Sequence, residues 1–239
     1  MTRASRTLGR QALAEFVGTG FLVAAVVGSG IAAQRLSPHD VGLELLENTA
    51  ATAAALVAII FAVGPVSGAH LNPVITLVDR VFGGLRTRAA VVYIAAQFAG
   101  GTAGAIAANT MFGLPVVALS GHHRASGPHL FAETLATFGL VLVVFGVVRA
   151  GREQIVPFAV GAYIAAGYWF TSSTSFANPA VTFSRMLSDS FAGIAPTSVP
   201  GFVGFELVGG ALGAACIVAL YPRVRDDASD VLLHHTEAA

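Results

Sequence analysis

Lysine does not occur in this chain of 239 residues, so all 13 of its basic side chains are arginine, balanced by 13 acidic ones. With a formal net charge of zero and no basic block, the chain offers nucleic acid no electrostatic footprint. Charged residues of all kinds make up only 11% of it. Cysteine is nearly absent too. The single Cys216 can form no disulfide within the chain and falls in an apolar run, so it reports nothing about redox compartment. The adjacent pairs His122–His123 and His234–His235 could bind a metal, but such pairs in polar segments are more often simply solvated, and no metal or cofactor is expected.

What the chain does have is apolar surface. Hydrophobic residues reach 55% and the mean hydropathy is +0.74, more than a soluble core needs. Several runs approach the ~20 residues that cross a bilayer as a helix, so an integral membrane protein is expected. Spans are predicted at about 12–33, 43–64, 90–109, 130–148, 156–170 and 201–221. The first could pass for a signal peptide, with Gly-Ile-Ala-Ala before Gln34 imitating a cleavage site. Its length argues otherwise, and so does an echo: A-E-F-V-G-T-G-F-L-V at 14–23 returns as A-E-T-L-A-T-F-G-L-V at 132–141.

Two short boxes organise the rest. Residues 67–76 read S-G-A-H-L-N-P-V-I-T and residues 175–182 read S-F-A-N-P-A-V-T, each after a long apolar run. Asn is a favoured N-cap, and Pro at the first helical position gives up a donor that would be unpaired anyway. Helices are therefore predicted from Pro73 to about Val81 and from Pro179 to about Leu187. Each has roughly nine residues, or about 14 Å, half a bilayer. The third and sixth spans also match, Q-F-A-G-G-T-A-G-A at 97–105 against E-L-V-G-G-A-L-G-A at 206–214, and their glycines suit close helix packing.

The fold class expected is an all-α membrane protein of six transmembrane helices plus two re-entrant half-helices. Three spans per copy makes the two copies, about 11–109 and 129–221, inverted relative to each other. Arginine placement sets the orientation. With the N-terminus cytoplasmic, Arg3, Arg6, Arg10, Arg80, Arg86, Arg88, Arg149, Arg152, Arg223 and Arg225 lie inside, and only Arg35, Arg124 and Arg185 lie outside. Residues 1–10 and 222–239 then read as cytoplasmic tails of a multi-pass protein of the plasma (inner) membrane.

Opposed half-helices would aim two positive helix ends at the membrane centre, which opposes cations and protons. Asn72 and Asn178 either offer side-chain N–H donors to a solute there or only cap their helices. Glu15 and Glu133 are costly at membrane depth: they serve a proton relay, or their carboxylates hold the non-helical loops by accepting backbone N–H groups. Gln97 and Glu206 stand at matched positions and could do similar work. His70 either positions its loop or donates to a pore, and Ser67 reads as a loop-former.

These boxes, the Ala-Glu-Phe-Val-Gly-Thr start and the six spans resemble the aquaporin, or major intrinsic protein, family over nearly the whole chain, about 11–221. The resemblance implies a right-handed six-helix bundle with one pore per subunit, a homotetramer, and no enzymatic activity. Water- and glycerol-conducting members carry Arg directly after the second Asn-Pro-Ala, where this chain has Val181. Counting by the family's spacing puts the other filter positions on Thr52, Ala166 and Ser175, with Gly167 the alternative to Ala166. The filter expected is wide and uncharged. Thr182 stands where glycerol facilitators carry Asp, and Val74 where Ala is usual. The second box resembles the bacterial branch associated with arsenic resistance, which implies arsenous acid or methylated arsenicals as solutes, with glycerol and water also open. A plain water channel and a secondary transporter built on inverted repeats are the alternatives; an intramembrane enzyme lacks a nucleophile arrangement.

Overall fold

A computed structural model describes residues 3–221, with side chains from residue 7. The expected C-terminal tail at 222–239, with Arg223, Arg225 and the His234–His235 pair, lies outside the described residues, as do the side chains of Arg3 and Arg6. Among the described residues eight α-helices follow in order: α1 (Arg3–Leu36), α2 (Val41–Ser67), α3 (Pro73–Phe82), α4 (Thr87–Met111), α5 (Gly127–Arg149), α6 (Val156–Phe170), α7 (Pro179–Arg185) and α8 (Val199–Leu220). No strand occurs among the described residues.

Five helices, α1, α2, α4, α5 and α8, are long and apolar enough to cross a membrane. The sixth, α6, has 15 residues, about 22 Å of rise, and is preceded by a 3-10 turn at Glu153–Ile155. Local chemistry sets the ends. The Asp40 carboxylate accepts from Leu43 N at 2.9 Å to start α2. Gly68 then closes it at φ 83°, a left-handed conformation that glycine adopts without a Cβ penalty. The half-helices α3 and α7 begin at Pro73 and Pro179 behind their Asn caps.

The two copies pack alike. α1 lies against α4 and α2, α5 against α8 and α6, and α2 against α6 joins the two copies. Glycine makes the α1–α4 and α5–α8 crossings possible: a Cβ on Gly100 or Gly104 would strike the backbone of Phe16 or Gly20, and one on Gly209 the backbone of Thr134. The neighbouring glycines seat the half-helices across the repeats. Gly101 of α4 faces Ala180 and Ser184 of α7, while Gly210 of α8 faces Val74 of α3.

Polarity is arranged as lipid requires. Phe21, Phe131 and Leu212 are exposed on the outer faces, whereas Glu15, Gln97, Glu133 and Glu206 are fully buried.

Candidate functional site

The half-helices meet end to end, and the two asparagines join them. Asn72 Oδ1 accepts from Val74 N at 2.8 Å, and Asn178 Oδ1 accepts from Ala180 N and Val181 N at 3.0 and 3.3 Å. Each oxygen is thus used as a cap. The nitrogens reach across: Asn72 Nδ2 donates to Ala177 O, and Asn178 Nδ2 donates to Leu71 O, both at 2.7 Å. An amide nitrogen carries two hydrogens, so each keeps one N–H beyond this cross-tie.

The loops before them are strained in the same pattern. Ala69 and Leu71 before Asn72, and Ser175 and Ala177 before Asn178, all have positive φ near 50° without being glycine. Buried glutamates brace these turns. Glu15 accepts from His70 N and Leu71 N at 2.9 and 2.7 Å, and Glu133 accepts from Phe176 N and Ala177 N at 3.0 and 2.7 Å. Gln97 Nε2 donates to Glu15 at 2.8 Å and to Thr76 Oγ1 at 3.0 Å. At the matched place Glu206 accepts from Asn178 N at 3.2 Å and from the Thr182 hydroxyl at 2.5 Å. Ser67 donates to Glu15 at 2.6 Å and accepts from Ala69 N, so it belongs to the loop.

A cavity runs past this junction. One wall is a pair of apolar helical stripes, Leu56 and Ile60 of α2 and Val156, Val160 and Ile164 of α6, spaced four residues apart as one helix face requires. The opposite wall holds Asn72, Asn178, His70 and the loop backbone. His70 is fixed by Thr76 Oγ1 at 3.1 Å from Nδ1, by Asp79 at 3.7 Å from Nε2, and by an edge-on contact with Tyr93.

At one mouth the cavity is lined by Thr52, Tyr168, Ser175, Phe176, Val181 and Arg185. Tyr168 continues the α6 stripe by one more turn, and its hydroxyl donates to Thr52 Oγ1 at 3.3 Å. Arg185, four residues beyond Val181 on α7, is only 2% exposed. Its guanidinium carbon lies 3.4 Å from the centroid of the Phe176 ring, and its Nε donates to Ala192 O at 2.5 Å. Arg124 approaches the same ring at 5.5 Å and donates to Gly193 O and Phe191 O.

Two expectations are corrected here. Ala166 is exposed on the far side of α6 and does not line the cavity. Gly167 does not line it either; it sits behind Ser175, whose hydroxyl a Cβ there would strike. A count back from Asn178 passes through the non-helical residues 171–177, and a helix face is not preserved through such a segment. The α6 residue at this mouth is Tyr168, an aromatic where a small residue is expected. Nor is the mouth uncharged. Arg185, counted only as an arginine on the outside, turns into the cavity because residues four apart share a helix face. Both could have been read from the i, i+4 spacing, Tyr168 from Ile164 and Arg185 from Val181.

Comparison with known proteins places these features in context. The family described as "Major intrinsic protein" matches residues 2–175, ending at the first residue of the second box. The aquaglyceroporin AqpS of Rhizobium meliloti (strain 1021) is 48% identical over 213 residues, 89% of each chain. The probable aquaporin AqpM of Archaeoglobus fulgidus is 31% identical, over 90% of this chain and 96% of its own. The X-ray structure of the aquaglyceroporin from Plasmodium falciparum superposes with a TM-score of 0.67 at 20% sequence identity, covering 91% of this chain and 96% of that one. At that identity the likeness speaks for the fold alone.

Proposed function

We propose that this chain, which belongs to the major intrinsic protein family, is a passive channel for uncharged, hydroxylated solutes of glycerol size, trihydroxy metalloid acids such as arsenous acid among them. The observation that carries the reading is the two-faced cavity. A polyol or a neutral oxyacid can accept from Asn72 and Asn178 on one side and lay its carbon or metalloid body along Leu56, Ile60, Val160 and Ile164 on the other. An ion finds no such wall: the apolar stripes cannot replace its hydration shell. The solute named for the Rhizobium relative's class, glycerol, fits the same description.

The chain is a multi-pass membrane protein. The arginine distribution supports the inner membrane with both termini cytoplasmic, and reporter fusions at each terminus test it. The subunit holds a complete cavity of its own, and the exposed apolar faces of α1, α2, α5 and α6 suit a homotetramer with one pore per subunit, tested by cross-linking in the membrane.

Purified protein in vesicles provides the direct test of the channel. Stopped-flow light scattering with water, glycerol, arsenous acid and a methylated arsenical is expected to show flux proportional to gradient. Saturation at low concentration, or dependence on an ion gradient, would mean a transporter instead.

A further inference from the structure

The mouth lined by Arg185 carries a charge that the residue after Asn-Pro-Ala does not supply. We propose that Arg185 is the specificity-determining residue of this constriction, rejecting cations and hydrated protons electrostatically and donating to the oxygens of neutral solutes. The inference rests on the channel reading above and assigns its charge filter to a position one helical turn further along α7.

The guanidinium is held in place. It stacks on Phe176 at 3.4 Å, and Nε is tied to Ala192 O. A planar fork fixed at one nitrogen presents its two terminal amino groups, with four N–H donors, in a set direction. Among the described residues neither amino group has a hydrogen-bond partner, and Arg185 lines the cavity. The charge is also unneutralised. No carboxylate among the described residues lies within ion-pair distance of Arg185. Glu133 and Glu206 feel its field from farther off, engaged with the loop and α7.

The rest of the mouth complements it. Ser175 Oγ is buried, lines the cavity and has no partner among the described residues. Thr52 and Tyr168 place two more hydroxyls there, while Val181 and the Phe176 ring form an apolar side. A neutral solute bearing several oxygens can exchange water for these groups. A cation meets a fixed positive charge among buried side chains, where charge is screened less than in bulk water.

Vesicles loaded with a pH-sensitive dye and clamped with potassium and valinomycin read proton leak, and stopped-flow scattering on the same preparation reads glycerol flux. Arg185→Gln keeps donors but removes the charge; Arg185→Lys keeps the charge and loses the planar fork. Gln is expected to raise proton leak about tenfold, as removal of one charge some 10 Å from the permeating ion implies at intermediate dielectric. Lys is expected to leak no more than the parent. A well-assembled Gln variant with parental leak, or equal leak from Gln and Lys, overturns the proposal.

Arg185 also holds the loop near Ala192, so a second pair avoids touching it. Val181→Glu sets a carboxylate four residues before Arg185, where the two can pair and cancel the charge, and Val181→Gln is its neutral control. Leak rising with Glu alone supports the assignment, and leak alike in both sinks it. Glycerol flux in the parent is scored separately, since its absence refutes the channel reading whatever the leak does.

Discussion

Asn72 and Asn178 are tied crosswise, each amide donating at 2.7 Å to the carbonyl that precedes the other asparagine. The two halves of the molecule are therefore locked together at the cavity by the same side chains that start the half-helices. Aspartate at 178 keeps the cap but has no N–H for Leu71 O, and sets two acceptors face to face. Asn178→Asp is expected to cost about 1–3 kcal/mol, the range for an unsatisfied buried polar group. It should cut glycerol flux per assembled molecule severalfold, and Asn72→Asp should match it because the ties are equivalent. Thermal unfolding in detergent, followed by vesicle flux on the surviving protein, measures both; parental flux in either variant removes the asparagines from the conduction path.

Glu133 braces a loop in which Ser175 and Ala177 hold left-handed conformations. Glutamine retains one oxygen acceptor for the two amides, whereas alanine retains none. Leaving both N–H groups buried and unpaired costs roughly 1–3 kcal/mol each. Glu133→Gln is thus expected to preserve far more folded protein and flux than Glu133→Ala. Complete loss of flux in both, at normal assembly yield, would instead favour the proton-relay reading.

Glu206 breaks the symmetry between the copies. In the first, Gln97 Nε2 donates to Glu15; in the second, Glu206 is buried against Glu133, carboxyl to carboxyl. Glutamine there can keep the bonds from Asn178 N and Thr182 through its oxygen and aim an N–H at Glu133. Glu206→Gln should therefore melt no lower than the parent, and about 1 kcal/mol of added stability is the expected scale for one good hydrogen bond. A marked drop in the melting temperature, measured by intrinsic fluorescence in detergent, would show that Glu206 needs its carboxyl proton.

The architecture was legible because its signals are local and repeated. Asn-Pro announces a helix start wherever it falls, the glycines of 100–104 and 209–213 announce close crossings, and the paired glutamates announce a buried need for donors. The filter was less legible. Ala166 follows from a count through residues 171–177, which leave the helix and carry three left-handed conformations, at Thr174, Ser175 and Ala177, so the register across them is set by Glu133 and not by the sequence spacing. Arg185 was hidden differently. A single arginine near a span end reads as a topological marker, and only the stack on Phe176 and the bond to Ala192 O turn it inward.

Val181 gives the test on which sequence and structure part most clearly. The sequence alone predicts that Val181→Arg both narrows and charges an uncharged opening. With Arg185 already at this mouth, the new side chain adds bulk and a second guanidinium one turn away, and like charges four residues apart repel. Val181 is 5% exposed and lines the cavity, so a longer side chain can only extend into the open space. Glycerol and arsenous acid flux should fall at least severalfold, and water, being smaller, should fall less. Proton leak should stay at the parental level, because exclusion of cations is already provided by Arg185. The vesicle assays with scattering and an internal pH dye read all of these together. A large fall in leak on adding Arg at 181 would mean that the parent mouth was effectively uncharged, and that Arg185, however buried, does not act on what passes.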